Sequence, residues 1–303
     1  MTLIHLIFSE PAIYDNVFDY CSTVTLFRLS RICRISRDAF QSYLQRTFNV
    51  DRLLSHYFDR PDTFRSLQAR TDTVISGAAA ADFFARSRWD PNLVLQICVP
   101  RDHLKDVGDW IQDSGYVFQP DRGHSGAFKL AIDEIGDEYE QMESHGQWVG
   151  GIAGVYTFVN SAARRGSNKS VEIRLVAALR SPIEVVLCSR CTSVMNFITH
   201  DTAYSVYPRA TFESLVALVS PFHDGPFEDT QLYYTAGGGN LLVEPPGTAP
   251  SYPAFLEDLA TREPSLLLGG RWIDDSSSWV LPLASSDLLA DDQSHHPMTE
   301  THP

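Results

Sequence analysis

The chain has 303 residues, of which 44% are apolar and 11% aromatic; this is enough to bury one large domain or two smaller ones and argues against wholesale disorder. Its 24 Lys and Arg face 38 Asp and Glu, and a formal net charge of −14 argues against nucleic acid or an anionic membrane surface as a partner. No apolar run reaches the roughly 18 residues of a membrane span. The five cysteines, an odd and low number, suit free thiols in a reducing compartment, cytoplasmic or nuclear.

Met1 to Phe8 is apolar but lacks a basic lead and a small-residue cleavage site, so it does not read as a signal peptide. Residues 10–58 carry helical spacing: Ile13, Val17 and Tyr20, then Leu26, Leu29 and Cys33, then Phe40, Leu44 and Phe48. Ser9 before Glu10-Pro11 suits a helix start, Thr23 or Thr25 can cap the next helix, and Arg60-Pro61-Asp62 marks a boundary. We therefore expect a helical module over 1–60.

Residues 61–220 mix strand and helix signals. Thr73-Val74-Ile75 reads as a short strand and Ala78 to Arg86 as a helix with Ala81 and Phe84 inward. Leu93 to Val99 is a β-rich run ended by Pro100, and Leu104, Val107, Trp110 and Ile111 share a helical face. Tyr116 to Phe118 is another strand. Residues 119–154 are acidic and glycine-rich and read as a long mobile loop. Val155–Val159 and Val171–Val176 flank a basic turn and predict a hairpin; Glu184 to Leu187 reads as a strand and Ser193 to Thr199 as a helix. The fold class expected is α+β with a mixed sheet. Residues 221–303 are rich in Pro, Gly and Ser and read as irregular, with one helix at Tyr252 to Thr261 and a disordered tail from about residue 285.

Glu10-Pro11-Ala12-Ile13 through Cys21, followed by Thr25-Leu26-Phe27-Arg28-Leu29-Ser30-Arg31-Ile32-Cys33-Arg34, resembles an F-box; the second helix matches, while Glu10-Pro11 replaces the usual Leu-Pro pair. The resemblance implies docking onto the Skp-type adaptor of a cullin ubiquitin ligase, with Pro11, Ile13, Val17, Phe18, Leu26, Leu29 and Cys33 as the docking positions. From the residues alone, the same stripes also fit a plain helical cap on the following domain.

Thr73 to Val99 resembles the nucleotidyltransferase superfamily: a strand, Ser76-Gly77 opening a helix, then a strand that should carry two carboxylates at i and i+2. On a strand those positions face the same way, and two carboxylates there hold divalent ions that clamp a triphosphate. Asn92 and Val94 occupy the two positions, so the site is degenerate and neither catalysis nor a cofactor is expected. The alternative is Mg²⁺ with a nucleoside triphosphate on a rearranged set of Asp90, Asn92 and Glu172, although Glu172 stands two residues from Arg174 and also suits a salt bridge. A wider stretch, including Gly115 to Pro120, Val194 to His200 and Ala203 to Phe212, is similar to a large fungal family of basidiomycete type that pairs an F-box-like start with this domain. Cys188-Ser189-Arg190-Cys191 is a lone Cys-x-x-Cys without a second ligand pair. The expected function is that of an F-box-like adaptor or binding protein, with a transferase or an inactive paralogue as alternatives.

Overall fold

The computed structural model describes residues 3–86, 90, 93–121, 123–145, 150–161, 170–219, 235, 238–245, 247–267 and 272–283. The chain begins with helices α1 (Leu3–Phe8), α2 (Pro11–Asp19), α3 (Thr23–Ser30) and α4 (Arg34–Thr47). Pro11 opens α2 and the Ser22 hydroxyl accepts the Thr25 N–H at 3.2 Å to start α3. Their inward faces form a small core of Tyr14, Phe18, Leu26, Ala39, Phe40 and Tyr43. The Phe18 ring lies 5.2 Å from Tyr43, edge-on, and 5.9 Å from Phe8. Ser36 ties α3 to α4 by donating to the Leu29 carbonyl at 2.6 Å and accepting the Cys33 N–H at 3.3 Å.

The expected boundary at residue 60 falls too late. Phe48, Val50, Leu53, Leu54, Tyr57 and Phe58 sit in the main core of the following domain, not in the helical one. Helix α5 (Val50–Leu54) thus belongs with α6 (Pro61–Thr71), and the Tyr57 hydroxyl donates to the Leu93 carbonyl at 3.0 Å.

Next come β1 (Val74–Ser76), α7 (Gly77–Ala85), β2 (Leu95–Pro100), α8 (Leu104–Asp113), β3 (Val117–Gln119), α9 (Phe128–Ser144), β4 (Ile152–Asn160), β5 (Val171–Ala178) and α10 (Pro182–Leu187). They are followed by β6 (Asn196–Ile198), β7 (Thr202–Ser205), β8 (Val216–Val219), β9 (Asn240–Val243), α11 (Tyr252–Arg262) and β10 (Trp279–Pro282). Among the described residues an eight-stranded sheet runs β10-β7-β6-β1-β2-β5-β4-β3, and β8 pairs with β9 separately. All its pairings are antiparallel except β2 with β5, so the fold is α+β with a mixed sheet. The expected β4–β5 hairpin is present, in the register Val155↔Val176; its basic turn lies outside the described residues.

Several expectations need correction. The stretch 119–154 is not one long loop, because α9 runs through it and buries Phe128, Ala131 and Ile135. Those apolar positions have helical spacing, masked in sequence by the acids between them. Glu184 to Leu187 lies in helix α10, not a strand, since Ser181 caps it through the Ile183 N–H and Pro182 sets its first turn. Thr192–Val194 is a single 3₁₀ turn and Asn196–Ile198 is strand β6, where a helix was expected. In α7 the buried apolar side chains are Ala79, Ala80, Phe83 and Phe84, while Ala81 is half-buried. Residues 221–303 are not uniformly irregular, because Trp279 and Leu281 of β10 join the main core at one edge of the sheet. The residues from 285 onward lie outside the described ones. No described helix is long and apolar enough to cross a membrane.

Gly108 marks a close approach of α8 to α9: a Cβ built there would lie 2.1 Å from the Phe128 ring. That ring packs on Phe158 at 5.1 Å and Tyr156 at 5.5 Å. Gly108→Ala should therefore displace a core ring and cost about 1–3 kcal/mol, read as a lower denaturation midpoint in urea; unchanged stability would show that α8 and α9 do not pack this way.

Candidate functional site

Strand β1 passes directly into α7 at Ser76-Gly77. Gly77 has φ +69°, a backbone conformation that glycine adopts freely and other residues reach at a cost. The turn is buried and sits beside β2 in the register Ser76↔Gln96. This is the strand-to-helix corner that the resemblance expects beside a phosphate site.

The side chain that meets this corner is Gln96. Its Nε2 donates to the Ser76 hydroxyl at 2.8 Å, and Ser76 Oγ lies 3.3 Å from Cys98 Sγ. A Cβ on Gly77 would stand 3.2 Å from the Gln96 Cβ. The open side of the glycine is thus filled by a glutamine from the neighbouring strand. Ser76, Gln96 and Cys98 are all buried, and burial pushes the Cys98 thiol up to about 11.

The two degenerate positions fall as follows. Strand β2 starts at Leu95, so Val94 is half-buried just before the ladder; Asn92 lies outside the described residues. The Leu93 N–H bonds the Asp90 carbonyl at 3.0 Å, which puts Asp90 in a turn ahead of the strand rather than on it. Glu172 is on β5, next to β2, and pairs with Arg174 at 3.5 Å, as its spacing allowed. Across the ladders Gln96, Arg174 and Thr157 stand opposite one another, as do Glu172 and Val159. Gln96, Arg174 and Thr157 thus stand side by side on one sheet face, Gln96 buried and the other two half-buried.

These residues do not fit a pair of divalent ions. Mg²⁺ needs anionic oxygens to offset its dehydration. Val94 supplies none, and the Glu172 carboxylate already faces a guanidinium. Among the described residues no three His, Cys, Asp or Glu side chains converge. Among the described residues the arrangement offers hydrogen bonding by neutral groups and one cation. Gln96 and Cys98 carried no motif signal; only their i, i+2 spacing along the strand from Val94 could have drawn attention to them.

The carried-over docking positions divide into three groups. Pro11, Ile13 and Val17 are exposed on α2. Phe18 and Leu26 are fully buried, so they hold the module together and offer no surface. Leu29 and Cys33 are half-buried around the Ser36 bonds that join α3 to α4. Cys188 and Cys191 are both free thiols.

No family model matches the chain, and neither a curated protein nor a solved structure matches it.

Two measurements test this geometry. Gly77→Ala should lower stability by about 1–2 kcal/mol for the left-handed backbone alone; a neutral effect would mean that the corner is not formed. Cys33 is only half-buried, and hydrogen bonding by the Ser36 backbone N–H lowers its thiol. Iodoacetamide at pH 8 should therefore label Cys33 in the native protein and reach Cys98 only after denaturation; native labelling of Cys98 would contradict the buried Ser76–Gln96–Cys98 cluster.

Proposed function

We propose that the chain is a non-catalytic binding protein of F-box-like type, whose helical module docks the Skp-type adaptor of a cullin ubiquitin ligase. The observation that carries this reading is the exposed apolar face of α2. Ile13 and Val17 are each 41% exposed and Tyr20 is 93% exposed, at helical spacing. On the adjoining face of the same helix Tyr14 and Phe18 are locked into the module's core. Six of the thirteen exposed large apolar side chains of the described residues (Ile4, Leu6, Ile13, Val17, Tyr20 and Ile32) fall on this module, so exposed apolar surface concentrates there. Docking would then use Pro11, Ile13 and Val17, with Phe18, Leu26, Leu29 and Cys33 shaping the module from within. The sheet domain would serve as a recognition scaffold in which Gln96 has taken the space beside Gly77. Such a role belongs to the cytoplasm or nucleus.

Titration of the purified chain with a Skp-type adaptor tests the reading. Val17→Glu buries a charge at the contact and should weaken binding at least about tenfold. Because Val17 is a surface residue, thermal stability should stay nearly unchanged. If the unmodified chain does not bind the adaptor, or Val17→Glu binds as well as it does, the reading fails. Transfer of a labelled nucleotide to any acceptor in Mg²⁺ or Mn²⁺ would overturn its non-catalytic half.

A further inference from the structure

A groove of about 600 Å³ runs between the helical module and α7, within the size range of small-ligand pockets. Arg46 of α4, Arg52 of α5 and Arg86 at the end of α7 line it, so three cations from three elements meet in a chain of net charge −14. Leu53 and Phe83 contribute apolar lining.

The three arginines differ in what they have left to offer. Arg46 is held by Asp15 at 2.5 Å and lies over the Tyr14 ring, so it adds positive potential rather than free donors. Arg86 donates Nη1 to the Phe18 carbonyl at 3.1 Å and the Tyr43 hydroxyl at 2.9 Å, and Nη2 to the Cys21 carbonyl at 2.6 Å. A guanidinium has five N–H donors, so Nε–H and a second Nη2 hydrogen stay unused by these bonds. Arg52 is exposed; its backbone N–H donates to Asn49 and its carbonyl accepts from Ser55, while its guanidinium makes no hydrogen bond or ion pair with the described residues. Burial and then the charge of Arg52 push the neighbouring His56 imidazole down, in keeping with a positive local potential. Two carboxylates also line the groove. Asp19 already accepts the Tyr43 hydroxyl at 2.8 Å, and Asp82 is buried with a partner of its own.

We propose that this groove binds a small organic phosphate monoester, its dianionic phosphate held by Arg52 and Arg86 and its carbon portion resting on Leu53 and Phe83. A phosphate monoester is largely dianionic at pH 7, and guanidinium groups match its oxygens with paired, charge-assisted bonds. The volume exceeds what inorganic phosphate fills, which is why the apolar lining enters the assignment. The inference does not depend on adaptor docking, since the groove lies at the module's junction with α7 and not on the exposed side chains of α2.

The test is calorimetric titration of the full chain with phenyl phosphate and, separately, with inorganic phosphate. Phenyl phosphate should bind saturably and more tightly than inorganic phosphate. Arg52→Gln should weaken it at least about tenfold, the loss of one charge-assisted contact, with Arg52→Lys falling between. Arg52 is exposed, so Arg52→Gln should keep its circular dichroism and thermal midpoint. Absence of saturable binding, or equal affinity of Arg52→Gln and the unmodified chain, overturns the proposal. Equal affinity for the two phosphates overturns the organic-ester assignment.

Discussion

The parallel pairing of β2 with β5 sets the terms for the rest of the molecule. A parallel pair at the centre of a sheet must be covered on both faces. On one face Leu95, Ile97 and Val99 join Ile173 and Leu175 in the main core. On the other, Cys98 and Val176 are covered by Val185 and Val186 of α10. Between these covers Gln96 cannot be left with an unmet amide, because a buried polar group without a partner costs about 1–3 kcal/mol. Ser76 meets it, because the β1–β2 register sets Ser76 directly opposite Gln96, just before the chain turns at Gly77. Strand pairing, the buried glutamine and the left-handed glycine are thus one connected arrangement.

A second constraint fixes the helical module against this domain. Arg86 has φ +55° at the end of α7, a left-handed position uncommon for a residue with a side chain. From there its guanidinium crosses to two carbonyls and a hydroxyl of the module. Burial, with the Asp19 hydrogen bond, raises the Tyr43 phenol, which stays protonated and can donate to Asp19 while accepting from Arg86. These bonds hold the helical module, and with it α2, against the end of α7.

Much of this was legible in the sequence, for physical reasons that can be named. The helices of residues 10–58 and the β4–β5 hairpin carry clean 3.6- and 2-residue periodicities. The Ser76-Gly77 corner was readable because only glycine takes that backbone freely. What escaped was governed by tertiary context. Acidic side chains between Phe128, Ala131 and Ile135 hid α9. β-branched residues in Glu184 to Leu187 outweighed the Ser181-Pro182 start of α10. The absence of carboxylates at Asn92 and Val94 was legible directly. The glutamine beside Gly77 was not legible, since nothing in the sequence pairs residue 96 with residues 76 and 77. Phe18 and Leu26 illustrate a further limit: helical spacing marks a stripe as apolar, but only packing tells core from exposed face.

The account rests on α2 being a surface that something covers while the sheet domain stays chemically silent. Hydrogen–deuterium exchange of the chain with and without a Skp-type adaptor tests this most directly. The account predicts slowed exchange over α2 and around Ile32, with β1, β2 and β5 unchanged. Equal exchange over α2 in both states, or protection that appears first on the sheet face around Gln96 and Arg174, would contradict it.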